Sequence, residues 1–490
     1  MTAQIPGGPR SGLSRFSPVP LWRESPALIL GIAVWLAAMA LYWPQGLSFE
    51  DDTGYVGEAK LLLSGRILPR PEDPGVWNRT THGMVPQYPL LGSLLLVPLL
   101  AITPRAVFAL GILAAVALCV TAARVLKLWG TAGPWALLLL AHPTVVIMAR
   151  TATADLPLAA FTLGAWWALR EGRRGASMIL FALMFAVKPV GFILGAALVG
   201  GECLRILPGL LARDSDAQGR LVTSLLSISL GFAFIFAINE IATGRLWFSY
   251  DHRFLGTPPF WFSHFPETAP AHVRTVLLLP PLLIVGALPY WRRREVGPLC
   301  LIFGFGLMMC FYFFVDHGTT RIESMVLAPR LILPVVVFLL VGYADLLARA
   351  AARFRGSSRW SGPILVAGTA SVALAVAVRH AQWQAPMSEA RAAAERIALR
   401  IGSRELGLTR QALKAGMLFP GPTPIVSLAE TTVPVVLCTH RPASYRAHDA
   451  VLSCDAPGYR VDYRVGDFEV LVREPSAGGR GPENDLLGKQ

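Results

Sequence analysis

The chain has 490 residues, of which 54% are hydrophobic and only 15% charged, with a mean hydropathy of +0.51. That is more apolar surface than one soluble core can bury, so lipid must be the main solvent. The net charge of +13 argues weakly for nucleic-acid binding, because the basic residues fall in short clusters between apolar runs, where the positive-inside rule accounts for them.

Arg10, Arg15 and Arg23 precede the first apolar stretch, 26–43. No small-residue cleavage site follows it, so residues 1–25 read as a cytoplasmic tail and 26–43 as a retained span. Further stretches of spanning length lie at 105–126, 131–149, 155–170, 221–242, 274–290, 296–315, 329–348 and 362–380. The run 177–207 is too long for one helix and is interrupted by Lys188-Pro189-Val190-Gly191, which predicts a hairpin of two short spans.

Residues 88–102 are apolar but short, and a full crossing there would put Arg124 on the wrong side. They read instead as interfacial or re-entrant. The clusters at Arg124/Lys127, Arg170 to Arg174, Arg205 to Arg220, Arg292 to Arg294 and Arg349 to Arg359 then share the side of the N-terminus. The predicted fold class is an α-helical polytopic membrane protein of about 11 transmembrane helices. A transmembrane catalytic domain covers 26–380, and an external juxtamembrane helical loop, 44–104, follows the first span.

Residues 381–475 form no span. The stretch 388–402 has helical spacing, and 424–428, 433–438 and 459–473 alternate like strands, so a small α/β domain outside the membrane is expected. Cys438 and Cys454 are its only cysteines and a candidate disulfide. The ends, 6–20 and 476–490, have the composition of disordered tails.

Chemistry-bearing residues gather on the external side. Glu50-Asp51-Asp52 follows the first span, and acidic residues there also serve simply as a helix cap. Asp155, before Leu156-Pro157, opens a span from the same face, where an N-cap is the plainer role. Lys188 stands alone at the tip of an apolar hairpin, where snorkelling alone would explain it, and Arg330 opens a late span just after Arg321 and Glu323. Together they predict one outward-facing pocket of carboxylates and cations at headgroup depth. Displacing a phosphate from an anomeric carbon needs those groups: a carboxylate base for the acceptor hydroxyl, and cations for the departing phosphate. No metal-ligand spacing occurs in the sequence.

These motifs, in this order over about 27–340, resemble the GT-C class of polyprenyl-phosphate glycosyltransferases, the group of bacterial aminoarabinose transferases and protein O-mannosyltransferases. Its Asp-Glu/Asp-x-x-Tyr motif after the first span is matched by Asp51-Asp52-Thr53-Gly54-Tyr55, with Asp where Glu is commoner at the second position. Its interfacial Tyr-Pro or Lys-Pro segment is matched by Tyr88-Pro89, and its Asp-x-Pro element by Asp155-Leu156-Pro157. Lys188-Pro189 and Arg330 to Pro334 match the remaining two.

The resemblance implies Asp51 and Asp155 as the catalytic pair, Lys188 and Arg330 on the donor phosphate, and Asp52, Tyr55, Tyr88 and Arg321 around the pocket. It implies a polyprenyl-phosphate sugar donor and a glycan, lipid or protein acceptor, with no nucleic acid. Some members of the class use a divalent metal and many do not. The Arg- and Ala-rich composition points to a bacterial plasma (inner) membrane, with the site and the C-terminal domain periplasmic. Two rivals stand beside this reading. A pyrophosphate-donor polysaccharide polymerase or ligase draws on Arg245, His252, Arg253 and His264 in the 243–273 loop. A transporter or flippase requires repeated halves and charges at the midplane, which the sequence does not display.

Overall fold

The computed structural model describes residues 25–75, 77–80, 83–243, 260–312, 325–353, 357–403, 405–409, 412–419, 425–428, 431–440 and 454–474. The tails and Arg321 lie outside the described residues, as does most of the 243–273 loop.

Pro26 sits in the first turn of α1 (Pro26–Leu41), where its missing N–H costs nothing. Helix α2 (Glu50–Leu63) follows, then a hairpin of β1 (Trp77–Thr80) and β2 (Gly83–Pro86). The stretch predicted as interfacial forms two short helices, α3 (Leu90–Leu94) and α4 (Val97–Ile102), which together stay below spanning length. The hairpin was not foreseen: its four-residue strands are too short to show an alternating pattern.

Then come α5 (Ala109–Leu128), α6 (Leu137–Leu140), α7 (Pro143–Met148) and α8 (Asp155–Arg170). The stretch 131–149, predicted as one span, is broken where His142 takes an extended backbone before Pro143. Lys188 likewise turns extended before Pro189 and ends α9 (Arg174–Val187), and α10 (Gly191–Leu211) returns. The hairpin is tight: a Cβ on Gly191 would lie 2.3 Å from the Met184 carbonyl oxygen, so only glycine fits there.

The later helices are α11 (Ser215–Thr243), α12 (Phe265–Leu278), α13 (Leu288–Arg292), α14 (Val296–Met309) and α15 (Leu333–Arg353). The predicted span 274–290 is divided at Pro280-Pro281, since consecutive prolines cannot continue the backbone ladder.

Among the described residues, five helices are long and apolar enough to cross a membrane, and Pro26–Leu41, Arg174–Val187 and Val296–Met309 are shorter apolar helices. The chain is therefore an integral membrane protein. Its helices bury one face and leave the other apolar and open: on α10, Leu194 and Leu198 are buried while Leu204 and Leu211 are exposed. Lipid is the solvent that suits such a face.

Helix α16 (Ser357–Arg400) crosses the boundary expected at 380/381 and runs unbroken for 44 residues from the last apolar stretch into the C-terminal unit. That unit is a four-stranded sheet in the order β3-β4-β6-β5, made of β3 (Gly407–Leu408), β4 (Val435–Thr439), β5 (Tyr459–Val465) and β6 (Phe468–Arg473). The predicted strand at 424–428 reduces, within its described part, to a single bridge between Ile425 and Leu408. The sheet packs on the far half of α16, whose Ala390, Ala394 and Ala398 are buried. Cys438 and Cys454 are joined in a disulfide. His440 and Glu469 approach this bridge, but the sulfur of Cys454 is already committed and offers no thiolate to a metal.

Candidate active site

Adjacent carboxylates at the start of α2 point in different directions. Asp52 is fully buried and faces backbone: Oδ2 accepts N–H bonds from Ser48 at 2.7 Å and Phe49 at 3.0 Å, and Oδ1 accepts one from Ala152 at 2.9 Å. It caps its own helix and ties that helix to the 151–154 loop, which leads to Asp155. Burial pushes its carboxyl up to about 6, partly offset by these N–H groups. Asp52 is thus a staple and not the pocket-lining residue that the motif suggested.

Asp51 faces the other way and meets two donors. Its Oδ1 accepts the Tyr88 hydroxyl at 2.9 Å, and its Oδ2 lies 3.1 Å from Nη2 of Arg330. The Arg330 guanidinium also lies over the Phe49 ring, 4.6 Å from its centroid, so the residue just before α2 helps to seat the cation. Tyr55 packs against Tyr88 with ring centroids 4.5 Å apart.

Asp155, in the first turn of α8, pairs with Nζ of Lys188 at 2.5 Å; both side chains are largely buried. The two pairs form one electrostatic cluster, since Lys188 feels Asp51 and Arg330 as well as Asp155. Nη1 of Arg330 and Oδ2 of Asp155 are buried without a hydrogen-bond partner among the described residues. Such groups carry a desolvation cost that a polar ligand would relieve.

The structure therefore brings Asp51, Asp155, Lys188, Arg330, Tyr55 and Tyr88 together, sets Asp52 behind them, and leaves Arg321 outside the described residues. It adds groups that sequence reasoning missed. Tyr312 lies within electrostatic reach of all four charged groups. Arg150, fully buried, donates from Nε to Nδ1 of His380 at 2.9 Å, so Nε2–H of His380 donates to the Ser48 hydroxyl, also at 2.9 Å. Gln384 holds the Gly46 carbonyl at 2.5 Å. Helix α16 is thereby fastened to the segment that launches α2. A lone histidine at the end of an apolar run carries no signal for this; only the fold brings it to Ser48.

Helices around such a site, a juxtamembrane helix after the first apolar helix and a C-terminal unit on a long last helix make up the fold. Two solved structures carry it. A crystal structure of ArnT from Cupriavidus metallidurans, bound to undecaprenyl phosphate, superposes with a TM-score of 0.60 at 13% identity over 92% of this chain and 99% of that one. The same protein in its apo state gives 0.56 at 14% identity over 90% and 97%. No family model matches the chain, and no curated protein matches it by sequence.

Proposed function

We propose that the protein is a membrane glycosyltransferase that moves a sugar from a polyprenyl-phosphate donor to an acceptor hydroxyl on the extracytoplasmic side of a bacterial inner membrane. The observation that carries this reading is the paired cluster Asp51–Arg330 and Asp155–Lys188, with two buried atoms that have no partner among the described residues. The shared fold with a transferase that binds undecaprenyl phosphate supports the donor class by analogy.

In this reading the acceptor oxygen bonds to the anomeric carbon as the bond from that carbon to the phosphate oxygen breaks, and the electron pair leaves on the phosphate. Asp51 takes the hydroxyl proton, and Arg330 and Lys188 receive the phosphate charge. Arg330 can serve both partners, since Nη2 is on Asp51 while Nη1 has no partner among the described residues. A phosphate seated there shares the guanidinium charge and so raises the basicity of Asp51 at the moment a base is needed. Asp155 orients the acceptor or supports Asp51, Tyr55 and Tyr88 shape the pocket, and the C-terminal unit helps select the acceptor.

The test is transfer of label from a panel of polyprenyl-phosphate monosaccharides to endogenous membrane acceptors, comparing wild type with Asp51→Asn. Transfer that depends on Asp51 is expected. Absence of turnover with every monophosphate donor would overturn the reading.

A further inference from the structure

Tyr88, which touches Asp51, is itself held by a buried acid. Its backbone N–H donates to Oε1 of Glu58 at 2.9 Å, while its hydroxyl reaches Asp51. Glu58 lies on α2, about two turns beyond Asp51, and is 1% exposed. Its second oxygen, Oε2, accepts the Ser93 hydroxyl at 2.6 Å, and Ser93 belongs to α3, the helix that follows Tyr88-Pro89. One carboxyl group therefore clamps the Tyr88 segment and the helix after it onto the helix that carries Asp51.

The ring is confined as well. A Cβ on Gly54 would lie 2.1 Å from Cε2 of Tyr88, so the ring rests directly on the α2 backbone one turn after Asp51. Tyr55 covers it from the side. An apolar filler at position 58 would pack α2 against α3 more cheaply than a buried acid does. What the acid adds is direction, because it fixes the backbone from which the Tyr88 hydroxyl is aimed.

Resting on the reaction proposed above, we propose that Glu58 is a positioning residue: through the Tyr88 backbone it keeps the Tyr88 hydroxyl on Oδ1 of Asp51 and so sets the plane in which the base meets the acceptor. Burial pushes the Glu58 carboxyl up to about 8, and glutamine is the closest neutral replacement in shape. The amide oxygen accepts the Tyr88 N–H and the amide nitrogen donates to Ser93.

The experiment uses the full-length protein and whichever labelled polyprenyl-phosphate sugar gives Asp51-dependent transfer. Glu58→Ala should lower kcat about 10-fold with the donor KM little changed, as misplacement of a catalytic group does, and Glu58→Gln should restore most of it. In a Tyr88→Phe background, which already lacks the hydroxyl, Glu58→Ala should cost nothing further. Ser93→Ala, a milder cut at the same clamp, provides the reading if Glu58→Ala does not fold, and its smaller loss should also vanish with Tyr88→Phe. Losses that persist in the Tyr88→Phe background would overturn the proposal, as would full activity in both Glu58→Ala and Ser93→Ala. Absence of any Asp51-dependent transfer would overturn the base assignment itself, a separate result.

Discussion

Two buried charge clusters sit at opposite ends of the same helices, and they are built differently. Helix α15 follows directly on Arg330 and carries Asp345 near its other end, while α8 begins at Asp155 and ends at Arg170. At the far end Asp345 accepts from Thr131 at 2.5 Å, Arg293 at 3.1 Å and Arg349 at 3.0 Å, and Glu295 pairs with Arg170 at 2.9 Å. Beside it Trp129 lies against Tyr290, with ring centroids 5.0 Å apart, and Arg293 stacks over Trp129 at 4.4 Å. Neither carboxylate there has a buried oxygen lacking a partner among the described residues, whereas the Asp51–Asp155 cluster leaves two buried atoms open. A saturated cluster holds helices together; an unsaturated one is stabilised further only by something that arrives.

That contrast can be broken by mutation. The largest effect should come from Asp51→Asn, with transfer falling on the order of 10³-fold and the melting curve moving less than for Asp345→Asn. Asp345→Asn should do the opposite, costing roughly 3 kcal/mol of stability while transfer per folded molecule is kept; a loss of turnover with unchanged melting would erase the distinction. Next, Lys188→Met should raise the donor KM about 10-fold, the worth of one charge-assisted contact, with kcat changed less.

The smallest effect is on pH dependence. Asp52 binds its proton more tightly folded, at about 6, than its ordinary value of 3.8 allows. Its contribution to stability is therefore fully present below that ordinary value and is lost as pH rises through about 6. Asp52→Asn should flatten the melting temperature across that window, and an unchanged slope would refute the assignment.

Asp51, Asp155, Lys188 and Arg330 were legible because ionisable residues are scarce and costly beside apolar runs, so each one stands out. Their pairing was legible only as a shared face. The separation of Asp51 from Asp52 was legible only through the resemblance, since neighbouring carboxylates look alike until the backbone N–H groups of Ser48, Phe49 and Ala152 select one of them. Glu58 escaped notice for a similar reason: on an amphipathic stretch an acid reads as solvent-facing, and only the returning Tyr88–Ser93 segment buries it. Pro386 lies inside α16. Proline marks a helix end in isolated sequence, yet α16 runs through it, with the turn at Gly466 packed 3.5 Å from its ring in the sense of a Cβ built there.

The continuity of α16 has a geometric consequence. Forty-four residues rise about 66 Å, roughly twice the thickness of a hydrocarbon core, so the C-terminal sheet rides on a stalk whose bearing is set by residue count. Two residues inserted between the apolar half and the sheet-bearing half would swing that sheet about 200° around the helix axis, and four only about 40°. Either insertion would also work against the contacts that dock the unit on the juxtamembrane segment, where Lys60 Nζ meets the Phe419 carbonyl at 3.1 Å and the Ile425 N–H meets the Glu72 carbonyl at 2.9 Å.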